Sequence, residues 1–115
     1  MILYRNIGQT ELAKLMSGKT IYGQCTNKKT KTPVVCFYNT PFLWKDSSHQ
    51  YLITIQIAEN DPRIQQQTEG IYHVSENFDF SKAWNENTGN KEIRVPEILL
   101  VEYSVADIRS IKMVH

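Results

Sequence analysis

The stretch Tyr51-Leu52-Ile53-Thr54-Ile55-Gln56-Ile57 constrains the fold more than any other part of the chain. Strand side chains alternate with period two, so Tyr51, Ile53, Ile55 and Ile57 share one side and Leu52, Thr54 and Gln56 the other. Four large apolar groups in one stripe need a covering layer. The strand therefore belongs to a sheet with one face on a core, and Asn60-Asp61-Pro62 closes it with turn residues.

The rest of the chain supplies partners for that strand. Residues 2–5 read as a short strand broken by Gly8. Thr10 is placed to cap a helix over residues 10–17, with Leu12, Leu15 and Met16 in one apolar stripe and Gly18 as its stop. Glu11 in the first turn and Lys14 near the last suit the helix dipole. Residues 20–22 read as a short strand and residues 24–32, with Lys28, Lys29 and Lys31, as a solvated loop. Pro33 opens a continuous apolar strand, residues 34–38, suited to a central position. Residues 58–90 carry the weakest pattern: a strand over 71–74, a helical turn or ordered loop over 78–84, and a polar loop over 85–90. Residues 92–95 and 98–103 are strand-like, separated by Pro96, which has no N–H to donate and is expected to end or break the ladder. A helical turn over 106–109 and a strand over 111–114 finish the chain.

This amounts to six to eight short strands and one helix, without the alternation of strands and long helices that a parallel doubly wound sheet requires. The expected class is α+β, a compact and mostly antiparallel β domain with one N-terminal helix and few other helical turns. At 115 residues the chain fits one domain, residues 1–115. A formal net charge of +1 leaves no electrostatic footprint for nucleic acid or an anionic membrane. No apolar run reaches the roughly 18 residues of a membrane span, and no signal for export stands out. Cys25 and Cys36 are expected as two thiols of a cytoplasmic protein, although one disulfide is sterically conceivable. His49, His73 and His115 are scattered and no zinc spacing, dinucleotide fingerprint or phosphate loop occurs, so no metal is expected.

Three widely spaced features carry potential chemistry. Arg5, beside Tyr4, offers a planar fork suited to phosphate. The segment Phe37-Tyr38-Asn39-Thr40-Pro41 ends an aromatic strand in a hydroxyl that can orient a ribose, and Tyr38, Phe42 or Trp44 can stack on a flat cationic ring. Asn90-Lys91-Glu92-Ile93-Arg94-Val95-Pro96 puts a carboxylate at the mouth of a strand, where it can stabilise positive charge on a neighbouring anomeric carbon.

In this order the features resemble the ADP-ribosyltransferase superfamily of arginine–serine–glutamate type, over nearly the whole chain. The matching elements are an arginine on the first strand, the helix Thr10-Glu11-Leu12-Ala13-Lys14-Leu15, a hydroxyl element at Tyr38-Asn39-Thr40 and the Glu92-to-Pro96 pattern. The closing segment Val105-Ala106-Asp107-Ile108-Arg109-Ser110-Ile111 resembles the family's last turn and strand. The resemblance implies a split sheet, NAD as substrate, Glu92 as catalytic carboxylate, and Arg5, Tyr4, Tyr38, Asn39, Thr40 and Trp44 around the NAD. Asn39 departs from the small hydroxyl usual in the middle motif. Asn90 stands where an acidic residue or Gln is frequent, and the chain is short for a catalytic member.

The leading expectation is an NAD-dependent mono-ADP-ribosyltransferase-like protein that modifies a macromolecule or cleaves NAD. The alternative is a non-catalytic module on the same fold that holds a nucleotide or a partner, as an inhibitor or sequestering protein. A third reading, nucleic-acid binding through residues 28–31, predicts strongly salt-dependent binding. The expected partners are NAD or a related nucleotide and a protein target; neither nucleic acid nor membrane is expected.

Overall fold

The computed structural model describes residues 1–23, 25–27, 30–41, 49–77 and 89–114. In chain order these form β1 (Ile2–Ile7), α1 (Gln9–Met16), β2 (Ile21–Tyr22), β3 (Cys25–Thr26), β4 (Pro33–Tyr38), β5 (Tyr51–Gln56), β6 (Ile64–Val74), β7 (Lys91–Leu100), β8 (Glu102–Tyr103), a 3₁₀ turn (Val105–Asp107) and β9 (Ile108–Met113). The class is α+β and mostly antiparallel, as the alternating pattern requires.

Six strands hydrogen-bond in the order β6-β7-β4-β1-β5-β9, every neighbouring pair antiparallel. β3 joins β4 off this path, and β2 and β8 form a separate two-stranded ladder. The middle of the long sheet is its thinnest join. β1 meets β4 at a single pair, Tyr4 opposite Tyr38, whereas β1 and β5 run in register from Ile2↔Gln56 to Ile7↔Tyr51. The sheet is thus two three-stranded halves, β6-β7-β4 and β1-β5-β9, bridged at one point.

Register decides which side chains share a face. Leu3 and Ile7 from β1, Val35 and Phe37 from β4, Ile53 and Ile55 from β5, and Ile98 and Leu100 from β7 all project to the same side and are buried there. Leu15 of α1, Ile21 of β2 and Tyr103 of β8 pack down on them, with Phe37 and Tyr103 edge to face at 5.1 Å between ring centroids. Burying each such side chain contributes about 1.5–3 kcal/mol, so this layer dominates the stability. Tyr51 packs against it and Ile57 is buried in it, completing the stripe that the alternating heptapeptide specified.

The elements depart from their sequence patterns in instructive places. The N-cap of α1 is Gly8, not Thr10, and no side chain caps the helix, because the chain turns straight out of β1. Met16, assigned to the apolar stripe, is exposed. Residues 25–26 are not loop but pair with Pro33 and Val34. Pro96 neither ends nor breaks its strand. Its carbonyl accepts from the Asn39 amide at 3.4 Å, on the side where β4 ends. A strand residue's N–H and C=O point to the same side, so the missing donor faces a ladder that stops there anyway. Residues 42–48 and 78–88, which include Trp44 and the 78–84 turn, lie outside the described residues.

Candidate functional site

Across the face opposite the core, one transverse row crosses all six strands. Thr68 of β6 lies opposite Glu97 of β7, Glu97 opposite Tyr38 of β4, and Tyr38 opposite Tyr4 of β1. Tyr4 in turn faces Thr54 of β5, and Thr54 faces Ser110 of β9. Five hydroxyls and one carboxylate stand in register over about 24 Å, at about 4.8 Å per strand. Apolar neighbours fill much of the same face, with Val34, Val74 and Val95 buried on it. The polar row also crosses the point where the two half-sheets meet.

Glu97 is the only carboxylate in that row, and it is held. The Tyr72 hydroxyl donates to its Oε1 at 2.9 Å and lies 3.2 Å from the Tyr38 hydroxyl, while the two rings approach edge to face at 6.5 Å. A phenol has one proton, so when Tyr72 donates to Glu97 it is Tyr38 that donates to Tyr72. Burial first, then Tyr38 and Glu97, push the Tyr72 phenol well above its usual range. Two residues past Tyr38, the Thr40 hydroxyl oxygen is buried with no hydrogen-bond partner among the described residues. Such a group is costly unless something arrives to satisfy it.

The candidate residues drawn from the sequence separate into two groups. Tyr4 and Tyr38 stand in the row, and Asn39 and Thr40 follow directly from it; Trp44 lies outside the described residues. Arg5 is on the opposite face. Its Nε and Nη2 each donate to Glu11 at 2.9 Å and its Nη1 donates to the Cys36 carbonyl at 3.0 Å, with the guanidinium 6.0 Å from the centre of the Phe37 ring. The Tyr103 hydroxyl donates to the same Glu11 carboxylate. Burial would push the Arg5 guanidinium down, but the hydrogen bonds and charge of Glu11 outweigh it and hold it above the usual arginine value. Glu11 thus lies in the first turn of α1, where its charge suits the helix dipole, and is also the counter-ion of Arg5.

Glu92 is 51% exposed at the outer end of β7, 3.8 Å from Arg94, which also lies 3.7 Å from Glu69. It shares the core-side face with Arg5 but lies six residues along β7 from Ile98, which faces Phe37. That is about 20 Å along the strand and two strands over. The structure therefore does not bring Arg5, Thr40 and Glu92 to one place. The carboxylate that does stand with Tyr4 and Tyr38 is Glu97, five residues on and across the sheet. Sequence reasoning passed over Glu97 and Tyr72; the signal for them was the parity of β7, which sets Glu97 on the face opposite Ile98.

Open hollows also occur among the described residues. One of about 530 Å³ beside α1 is lined by Gln9, Thr10, Ala13, Lys14, Ser17 and Lys19, and one of about 240 Å³ by Gln67, Thr68, Glu69, Pro96 and Ile98. Neither gathers a carboxylate with aromatic and hydroxyl groups as the row does. Among the described residues no cluster of His, Cys, Asp and Glu could hold a metal, and no helix is long and apolar enough to cross a membrane. No protein family, curated protein or solved structure matches the chain.

Proposed function

We propose that the chain is an NAD-dependent mono-ADP-ribosyltransferase-like protein, acting in the cytoplasm, that transfers ADP-ribose from NAD to a macromolecular target or to water. The observation that carries this reading is Glu97, a partly buried carboxylate set among tyrosines where two half-sheets meet. Cleaving the nicotinamide–ribose bond sends its electron pair to the leaving nicotinamide and leaves positive charge on the anomeric carbon. A fixed carboxylate stabilises that charge and accepts from a ribose hydroxyl. The acceptor nucleophile then bonds to the anomeric carbon and gives up a proton. Tyr38 and Tyr4 offer faces for the flat cationic ring, and Thr40 offers a hydroxyl with no partner among the described residues. The order of short motifs along the chain, which resembles that of ADP-ribosyltransferases, supports the same chemistry, with the carboxylate at Glu97 in place of Glu92.

A second reading rests on Arg5. Its fork is spent on Glu11 and the Cys36 carbonyl, so the cation that the resemblance gives to the NAD phosphates is engaged elsewhere. A non-catalytic module that holds a nucleotide or a partner protein on the row accommodates that arrangement. Nicotinamide release from labelled NAD, with calorimetric titration of NAD, separates the two. Turnover that Glu97→Gln cuts at least about 100-fold, with the melting temperature kept within a few degrees, supports the enzyme. Binding without turnover supports the module, and wild-type protein that neither binds nor consumes NAD sinks both nucleotide readings.

A further inference from the structure

We infer that Gly70 and Tyr72 of β6 form a seat that fixes the Glu97 carboxylate in one orientation, making both of them positioning residues for the row. The inference rests on the reading of Glu97 given above. Thr68, Gly70 and Tyr72 alternate onto the row's face, opposite Glu97, Val95 and Ile93. Glycine in a strand interior is unfavourable, and here no backbone angle asks for it. Among the described glycines only Gly18 has a positive φ. The reason lies in space. A methyl group at Gly70 would overlap Glu97 Oε1 and stand 2.7 Å from Tyr72 Cε2 and 3.1 Å from Glu97 Cδ. The carboxylate therefore leans diagonally across the strand pair into room that only glycine leaves open.

Tyr72, two residues further along the same face, closes that room from the other side. It donates to Oε1, the oxygen nearest Gly70, and the 3.2 Å approach of the Tyr38 hydroxyl fixes the phenol in turn. Glu97 Oε2 receives no hydrogen bond from any described residue. The seat thus grips one oxygen and presents the other, which is what a carboxylate needs in order to meet a developing cation from a fixed distance. A residue that only filled space would pack on the Glu97 stem and ignore its oxygens.

The test pairs kinetics with a measurement that needs no turnover. In a chain whose NAD consumption depends on Glu97, Gly70→Ala is expected to lower kcat about 100-fold and Tyr72→Phe about 10-fold, with KM for NAD changed less than about threefold. Ser110→Ala serves as the control for a row hydroxyl outside the seat. Unchanged kcat in Gly70→Ala and Tyr72→Phe overturns the seat while leaving Glu97 as the reacting group. Independently of activity, Tyr72→Phe is expected to lower the melting temperature by about 3–6 °C in the wild-type chain. In a Glu97→Ala chain it should cost less than half of that, because the hydrogen bond to Glu97 is already gone. Equal cost in both backgrounds overturns the seat whether or not NAD is consumed. A smaller cost beside a wild type inert toward NAD refutes the enzyme and upholds the seat.

Discussion

The two faces of the six-stranded sheet are built from the same strands and do opposite things with charge. On the core face Arg5 is neutralised where it stands: Glu11 takes the fork in bidentate fashion, Tyr103 donates to Glu11, and both charged side chains are only 13% exposed. On the other face Glu97 faces no cation among the described residues and accepts from the Tyr72 phenol. A buried charge left without a partner costs several kcal/mol, whereas a partly wet carboxylate with one good donor is tolerable and stays reactive. One face spends its ionisable groups on holding the sheet together; the other keeps one in reserve.

The sharpest way to break that contrast is to remove the counter-ion on the core face. Glu11→Ala leaves a buried guanidinium unpaired and strips Tyr103 of its acceptor. It is expected to cost about 3–5 kcal/mol, enough to unfold a domain of ordinary stability or bring it to the edge. Urea denaturation measures this. A loss under about 1 kcal/mol would mean that Arg5 reaches solvent or another anion, and would return it to the list of ligand-binding groups. The double change Arg5→Met with Glu11→Leu should recover much of the loss, since well-packed apolar groups replace a buried pair at little cost.

How much of this was legible in the sequence follows from what each segment's pattern depended on. β5 was readable because its alternation is local: apolar and polar positions differ at every step from Ile53 to Gln56. β6 was readable only over its last residues, because its first half, Gln65-Gln66-Gln67-Thr68-Glu69, is polar on both faces. An edge strand needs no apolar stripe, and its pairing with β7 is what defines it. The same holds for the candidate site. Glu92 stood out because its neighbours form a compact motif. Glu97 gained meaning only when register set it beside Tyr38 and Tyr72, the latter 25 residues away in sequence. The first-turn position of Glu11 was legible, but its ion pair was not, the partner being six residues back on β1 and reached by the turn at Gly8.

A middle-sized effect tests whether the core face alone holds the half-sheets together. Arg63, just before β6, donates to Asp61 at 2.9–3.0 Å and to Asp107 at 2.7–2.8 Å, tying the entry of one outer strand to the turn that leads into the other. Hydrogen bonds from Arg63 are the main cause that holds both carboxyls below the usual aspartate range. Because their folded values lie below the unfolded ones, the stability they add is complete above about pH 4 and drains as pH falls through the folded values. Partial exposure limits the gain, and about 1–2 kcal/mol is expected to disappear between pH 5 and pH 2. Urea midpoints across that range measure it, with Arg63→Met as the reference whose acid slope should be shallower. Equal slopes would show that the clamp contributes nothing and that the core layer alone bridges the halves.

The smallest expected effect sits at the residue whose local motif was most conspicuous. Glu92 is half in solvent, and its only described cationic contact, Arg94, is 3.8 Å away and itself 63% exposed. An exposed pair of that length contributes about 0–1 kcal/mol, so Glu92→Gln should leave the urea midpoint within error of the wild type. On the geometry of the row it should also leave NAD consumption within about twofold, because Glu92 projects from the side of β7 opposite Glu97 and the row. Glu97→Gln, five residues on, is expected to do the opposite: little to the fold and nearly everything to turnover. Finding the two reversed, with Glu92 essential and Glu97 dispensable, would mean that the ligand works from the outer end of the β6–β7 pair. The polar row would then be a structural band across the second face.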